Sequence, residues 1–277
     1  MTRTRNCRRR GLTLFELLVL LALLVLFLGF LLAAVGGVRR AAAGTQSKAN
    51  LHNLALGTID CADAHQGKMA GGPPNWYPVQ RGPAAFNGYG SVLFHALPYL
   101  EQEPLYKSSL KEFGKVQVYA SWNLAGKPVK IYQAPGDPTQ DPKADRTSYL
   151  ANGLAFPRAG ATYPASFPDG TSQTVLFAEG YSVATDNISW GGKPQAWKTE
   201  RRWWDDPTWE PVPGDPQFQL APAKDAAAST LPQGLTPEDI NVAMGDASVR
   251  LVSGKVSAAT FYAACTPAAD DVLGADW

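Results

Sequence analysis

The chain has 277 residues, of which 45% are hydrophobic and 18% charged, enough for one sizeable domain or two small ones. Its net charge of +1 hides an asymmetry, because residues 1–11 carry five arginines and no acid. The remaining 20 basic and 24 acidic residues lack the basic excess of a nucleic-acid-binding protein, so we expect no nucleic-acid partner.

The first predicted element is an apolar helix over residues 14–35. It holds about 22 apolar residues, interrupted only by Glu16 and Gly29, enough at 1.5 Å per residue to cross a hydrocarbon core of about 30 Å. Arginines ahead of the run favour a cytoplasmic N-terminus. The run is too long for a signal-peptide core. The sequence thus predicts a retained single-pass anchor in inner-membrane lipid, with the C-terminal domain outside the cytoplasm.

Helical residues are expected to continue after the apolar run. Residues 38–64 contain no proline and are rich in Ala, Leu, Gln and Lys. Their apolar positions fall on one face, at Leu51, Ala55, Thr58, Ile59 and Ala62. The sequence therefore predicts one helix of about 50 residues that ends near Gly67.

The rest of the chain alternates short helices, strands and loops. We expect short helices over 91–110, strands at 116–122, 129–133, 147–153 and 173–180, a hairpin over 240–252 and a closing helix over 256–266. Residues 181–238 form a long excursion rich in Trp, Pro and Asp. These patterns indicate an α+β fold with loop-rich insertions.

A short motif stands where the basic segment meets the apolar run. Gly11-Leu12-Thr13-Leu14-Phe15-Glu16 resembles the processing site of type IV prepilins and type II secretion pseudopilins. The resemblance implies cleavage after Gly11 by a prepilin peptidase and methylation of the new N-terminus on Leu12, a position where Phe is commonest in the family. It also implies assembly with other pilin-like subunits, in which the Leu12 amine of one subunit neutralises Glu16 of its neighbour. Such pairing would lower the cost of burying a lone carboxylate.

Most of the chain is also similar to a large prepilin-like family of unknown function that is abundant in planctomycetes. The segments that carry this resemblance are SKANLHNLALG (47–57), LFHALPYLEQEPLY (93–106), YQAPGDPT (132–139), TSYLANG (147–153), DGTSQTVLFAEG (169–180) and GDASVRLVSG to GADW (245–277). The family's C-terminal signature is His, nine residues, then Asp-Gly. Asp246 fits it, but Ala247 and Thr236 replace the Gly and the His. Ser47 and Ala134 stand where members often have Cys, a joint loss that would suit a lost disulfide.

The resemblance implies a pilin-like fold with a long N-terminal transmembrane helix packed on a small antiparallel sheet. The predicted divisions are a basic prepilin leader (1–11), a transmembrane helix (12–36), its helical extension (37–65) and an extracytoplasmic globular domain (66–277). The function that follows is a membrane-anchored, pseudopilin-like structural subunit of a type II secretion or type IV pilus-like system. Genomic neighbourhood would test this assignment.

Sequence motifs for catalysis are lacking. No GxSxG, HExxH, P-loop or dinucleotide-binding pattern occurs, and three scattered histidines (His52, His65 and His95) do not indicate a metal site. Asp137, Asp141 and Asp145 recur every four residues without an EF-hand pattern and are interpreted as solvated loop acids. We therefore expect no enzyme activity, no cofactor and no metal. No sequence motif indicates hydrolase activity.

Two further features leave alternatives open. Cys61 and Cys265 either pair in an oxidising compartment or are separate buried thiols. A tryptophan-rich segment either supplies core to an insertion poor in aliphatic residues or forms a platform for polysaccharide or an envelope partner. Its members are Trp190, Trp197, Trp203, Trp204 and Trp209. The second alternative would make the protein a membrane-anchored surface binding module.

Overall fold

A computed structural model describes the backbone of residues 13–77, 88–113, 116–190, 193–214 and 217–277. Side chains of residues 31–35, 113, 116–117, 186–190 and 193–197 lie outside this description. The chain divides into two compact units between Ala43 and Gly44. The architecture of the described residues is α+β, with several small sheets.

One long helix opens the described chain. Helix α1 spans Leu14–Ala64, 51 residues, as the absence of proline allows. It ends where Gln66 and Gly67 adopt left-handed backbone conformations, with φ of +61° and +78°. The Gly67 N–H donates to the Ala62 carbonyl at 2.8 Å, a bond typical of helix C-termini.

The predicted transmembrane span is wrong for the residues described. Within them, no helix has an apolar stretch long enough to cross a membrane. The predicted transmembrane helix over 12–36, and with it the single-pass inner-membrane localisation, is therefore withdrawn.

The second part of α1 is amphipathic, as its pattern predicts. Leu51, Ala55, Thr58 and Ala62 are buried and Ile59 is half-buried. The polar side chains on the remaining faces are exposed. The apolar face belongs to the larger of two core clusters, so burial of this face stabilises residues 44–64 as a helix.

Three short helices and a set of short strands follow α1. The helices are α2 (Val92–Ala96), α3 (Glu103–Ser108) and α4 (Ala258–Cys265). The strands are β1 (Asn75–Tyr77), β2 (Gly88–Gly90), β3 (Leu110–Phe113), β4 (Val116–Ala120), β5 (Tyr149–Asn152), β6 (Val175–Glu179), β7 (Val183–Trp190), β8 (Lys193–Glu200), β9 (Thr208–Trp209), β10 (Gln219–Leu220), β11 (Gln233–Gly234), β12 (Asp239–Met244) and β13 (Val249–Ser253).

The strands pair into two main sheets. The central sheet has the order β13-β12-β6-β5-β9, and the second has the order β1-β2-β4-β3. β12 and β13 pair antiparallel, which confirms the hairpin expected over 240–252. The expected strand over 129–133 is wrong, because residues Lys130–Tyr132 form a single turn of 3-10 helix. The excursion over 181–238 contains the antiparallel pair β7-β8, which its composition did not predict.

Two core clusters lie in the unit that begins at Gly44. The larger joins α1 to α2 and the inner face of the central sheet, and the smaller lies under α4. Cys61 belongs to the first cluster and Cys265 to the second, and both thiols are free and buried. Burial raises the pKa of Cys61 to about 12 and that of Cys265 further, so both are protonated at neutral pH.

Candidate functional site at the start of helix α1

Thr13 and Glu16 form a capping box at the N-terminus of α1. The Thr13 backbone N–H and hydroxyl donate to Glu16 Oε2 at 2.9 and 3.0 Å, and the Glu16 N–H donates to the Thr13 hydroxyl oxygen at 3.3 Å. Thr-x-x-Glu is the sequence pattern of this arrangement, in which two side chains satisfy the unpaired N–H groups of a first helical turn. The bond from the Thr13 N–H, and then that from its hydroxyl, lower the pKa of Glu16, which is therefore ionised at neutral pH.

The side chains that follow are apolar around the whole helix circumference. Over residues 14–30 the large apolar side chains are between 43% exposed, at Val19, and 81% exposed, at Leu14. A helix that is apolar all round is normally buried on every side. Within the described residues the chain does not bury this surface itself. Another molecule or subunit is therefore expected to contact it.

The residues implied in processing precede this site. Gly11 and Leu12 lie outside the described residues, so their roles stay predictions. A free amine on Leu12 would stand four residues before Glu16 in the sequence. A carboxylate can accept about four hydrogen bonds, so the capping bonds of Glu16 are compatible with an ion pair to a neighbouring amine.

A buried polar network connects α1 to the central sheet. Glu179 on β6 is 1% exposed and accepts hydrogen bonds from the Ser47 hydroxyl, the Asn241 N–H at 3.1 Å and the Asn241 amide at 3.0 Å. Ser47 lies 3.1 Å from the Tyr149 hydroxyl, to which Asn50 donates at 3.2 Å. Burial raises the pKa of Glu179 although the three donors favour the ionised form. The network fixes the register of α1 on the sheet.

Ser47 and Ala134, where family members often have Cys, are both fully buried. One turn after Ser47, the Asn50 amide donates to the carbonyl of Gln133 at 3.2 Å. The two segments are therefore in contact beside the exchanged positions. This hydrogen bond joins the helix to the 133–134 segment.

Asp246 and Ala247 lie in the turn between β12 and β13. Asp246 accepts hydrogen bonds from the backbone N–H and hydroxyl two residues on, at 2.9 and 2.6 Å. Ala247 has φ of +64°, the left-handed region that glycine adopts at least cost. Its carbonyl lies 2.8 Å from His52 Nδ1 on α1. Thr236 bonds within its own turn, to the Asp239 carbonyl at 3.0 Å.

Two tryptophans of the 190–209 segment are core residues. Trp203 is fully buried, packs on Tyr132 with ring centroids 5.8 Å apart, and donates from Nε1 to the Lys127 carbonyl at 2.9 Å. Trp209 is 2% exposed and belongs to the smaller core cluster. In this structure neither ring is accessible to a partner.

The other three tryptophans differ in what the structure describes. Trp204 is half-buried, donates to Asp145 at 2.5 Å and stacks under Arg202, whose guanidinium carbon is 5.5 Å from the ring centroid. Trp190 and Trp197 lie on the paired strands β7 and β8, and their side chains are outside the described residues. The side chains that the structure describes here do not form a common platform.

The aspartates spaced four residues apart accept hydrogen bonds in separate turns. Asp137 is 6% exposed and accepts bonds from Ser148 and from the Ser182 N–H at 2.8 and 2.7 Å, so it is not a solvated loop acid. Asp141 accepts a backbone N–H at 3.0 Å, and Asp145 accepts the Gly126 N–H at 2.7 Å. Across the described parts of the chain, no group of three His, Cys, Asp or Glu side chains could hold a metal ion.

Arg201 has a structural role that its neighbours in the sequence do not indicate. It is 5% exposed and donates to the carbonyls of Tyr181, Ser229 and Leu231 at 3.0, 2.8 and 2.8 Å, and to Gln233 Oε1 at 2.7 Å. It thereby holds the 228–233 loop against the sheet.

Comparisons with protein-family models, curated proteins and solved structures find no match for this chain.

Proposed function

We propose that the protein is a structural, pseudopilin-like subunit that assembles with other pilin-like subunits through the first part of α1. The observation that carries the proposal is the exposed apolar surface over residues 14–30, directly after the Thr-x-x-Glu start of the helix. Fully burying one Val, Leu or Phe side chain contributes about 1.5–3 kcal/mol. The equivalent helices of neighbouring subunits would bury this surface along its whole length.

The N-terminal motif adds a processing step to the proposal. A prepilin peptidase cleaves the bond after Gly11, and Leu12 becomes the methylated N-terminus. Co-expression with a prepilin peptidase, followed by intact mass measurement, tests the step. The expected product starts at Leu12 and carries one added methyl group, and Gly11→Leu blocks its formation. A wild-type chain that keeps Met1 in the presence of an active peptidase contradicts the processing claim.

Glu16 and Thr13 allow the role in assembly to be separated from helix capping. Glu16→Gln removes the charge but keeps a side chain that a capping box accepts. Glu16→Ala removes both functions, and Thr13→Val removes the capping hydroxyl while keeping the carboxylate. Assembly is measured by co-purification of tagged and untagged copies of the processed chain.

If Glu16 pairs with a neighbour's amine, Glu16→Gln and Glu16→Ala impair assembly alike, whereas Thr13→Val retains it. If Glu16 acts only as a cap, Glu16→Gln behaves as wild type and Thr13→Val is impaired. The second pattern rejects the pairing mechanism.

A second candidate, a polysaccharide-binding module, is favoured by a different set of aromatic residues. Trp76 and Trp122 are 37% and 40% exposed and flank Tyr89, with ring centroids 5.5 and 5.1 Å from it. Exposed clustered aromatic rings are typical interface anchors. A glycan array with the full chain tests this candidate: Trp76→Ala and Trp122→Ala should each abolish a signal seen with wild type. Wild-type protein that binds no glycan on the array rejects it.

A further inference from the structure

A cavity of about 320 Å³ lies between the end of α1 and the second sheet. Its lining is mainly aromatic and includes Tyr77, His95, Tyr99, Tyr106 and Tyr119. Successive rings are close: centroids are 5.0 Å apart for Tyr77 and His95, and 4.8 Å for the stacked pair Tyr106 and Tyr119. The volume and the apolar lining are in the range of small-molecule sites.

Among the described residues, one buried polar atom of the lining residues has no hydrogen-bond partner. His95 is 3% exposed, and its Nε2 is buried without a hydrogen bond. Buried polar groups are nearly always paired, and an unpaired one points to a missing partner. The neighbouring Tyr77 hydroxyl, by contrast, donates to the Lys68 carbonyl at 2.7 Å.

The charge state of the cavity limits what it can bind. Burial lowers the pKa of His95 to about 3, so the imidazole is neutral at physiological pH. Backbone hydrogen bonds from the ring at Asn75 and Gly90 oppose this shift, and in the neutral imidazole one ring nitrogen carries the proton while the other is an acceptor. The charged lining residues Glu103 and Lys107 pair with each other at 2.8 Å and are well exposed. An ionised ligand would lose its hydration without gaining a counter-charge inside the cavity.

We propose that this cavity binds a small uncharged aromatic compound whose hydroxyl group forms a hydrogen bond with His95 Nε2. The tyrosine rings contribute apolar contact area and offset or edge-to-face ring packing. The proposal is independent of subunit assembly, because none of the lining residues belongs to residues 14–30.

The test compares two ligands that differ in one group, 4-fluorophenol and 4-fluorotoluene, by ¹⁹F NMR titration against the full chain. We expect 4-fluorophenol to bind about tenfold more tightly, since it alone can satisfy Nε2. His95→Phe keeps an aromatic ring but removes the ring nitrogen, and should make the two affinities equal. His52→Phe, the same substitution at an exposed histidine outside the cavity, should leave the preference unchanged and controls for non-specific association with the rest of the chain.

A second measurement does not depend on the variant folding. The ¹⁵N resonance of His95 Nε2 in the wild-type protein should shift when 4-fluorophenol is added and not when 4-fluorotoluene is added. The proposal is overturned if wild type binds neither compound, if it binds both equally, if the Nε2 resonance does not move, or if folded His95→Phe retains the preference.

Discussion

Replacing Glu179 with Gln should remove a pH-dependent part of the protein's stability. The folded-state pKa of Glu179 is raised above its ordinary value of 4.5 by burial. The carboxyl therefore stabilises the fold fully below about pH 4.5, and this contribution is lost as pH rises through the folded-state pKa. Within that window the free energy of unfolding falls by up to about 1.4 kcal/mol per pH unit.

The amide of Glu179→Gln has no such ionisation, yet its oxygen can still accept from Asn241 and its NH₂ can donate to Ser47. Denaturant unfolding from about pH 4.5 to about pH 8, followed by tryptophan fluorescence, should show the variant gaining stability relative to wild type as pH rises. Glu238→Gln, which removes an exposed carboxylate, should keep the wild-type pH dependence. A difference between Glu179→Gln and wild type that stays constant with pH would refute the reasoning.

Three further outcomes are expected. Leu54→Ala, at a fully buried position of α1, should lower the unfolding free energy by about 2–5 kcal/mol in a denaturant titration. Leu56 on the same helix is 42% exposed, so Leu56→Ala should change this free energy by less than about 0.5 kcal/mol. Arg201→Lys should cost at least about 2 kcal/mol because an ammonium cannot reach the several carbonyls that the guanidinium bonds, and wild-type stability in this variant would show that these bonds are dispensable. Cys61 and Cys265 should resist thiol labelling in the folded protein and react after denaturation, as followed by peptide mapping; a disulfide-linked peptide pair would contradict the two-thiol structure.

Local patterns in the sequence predicted much of the fold. Helix α1, its buried face over residues 51–62, the β12-β13 hairpin and the closing helix α4 all follow from periodicity and turn residues. The strand predicted over 129–133 is wrong, because an alternation of apolar residues over only five positions does not distinguish a strand from a turn of 3-10 helix. The transmembrane prediction is wrong for the described residues, because none of their helices is long and apolar enough to cross a bilayer.

The candidate assembly site was visible in the sequence because its chemistry is local. Thr13 and Glu16 are three residues apart, and a capping box needs no contact from elsewhere in the chain. The buried network of Glu179 and the unpaired Nε2 of His95 were not visible, because each depends on partners brought together from distant segments. Burial decides whether a carboxylate, an imidazole or an indole is a surface group or part of the core, and burial is a property of the packed chain. The sequence alone therefore determined the helical course of α1 and its apolar residues over 14–30, whereas tertiary packing placed Trp203 in the core and His95 beside a cavity.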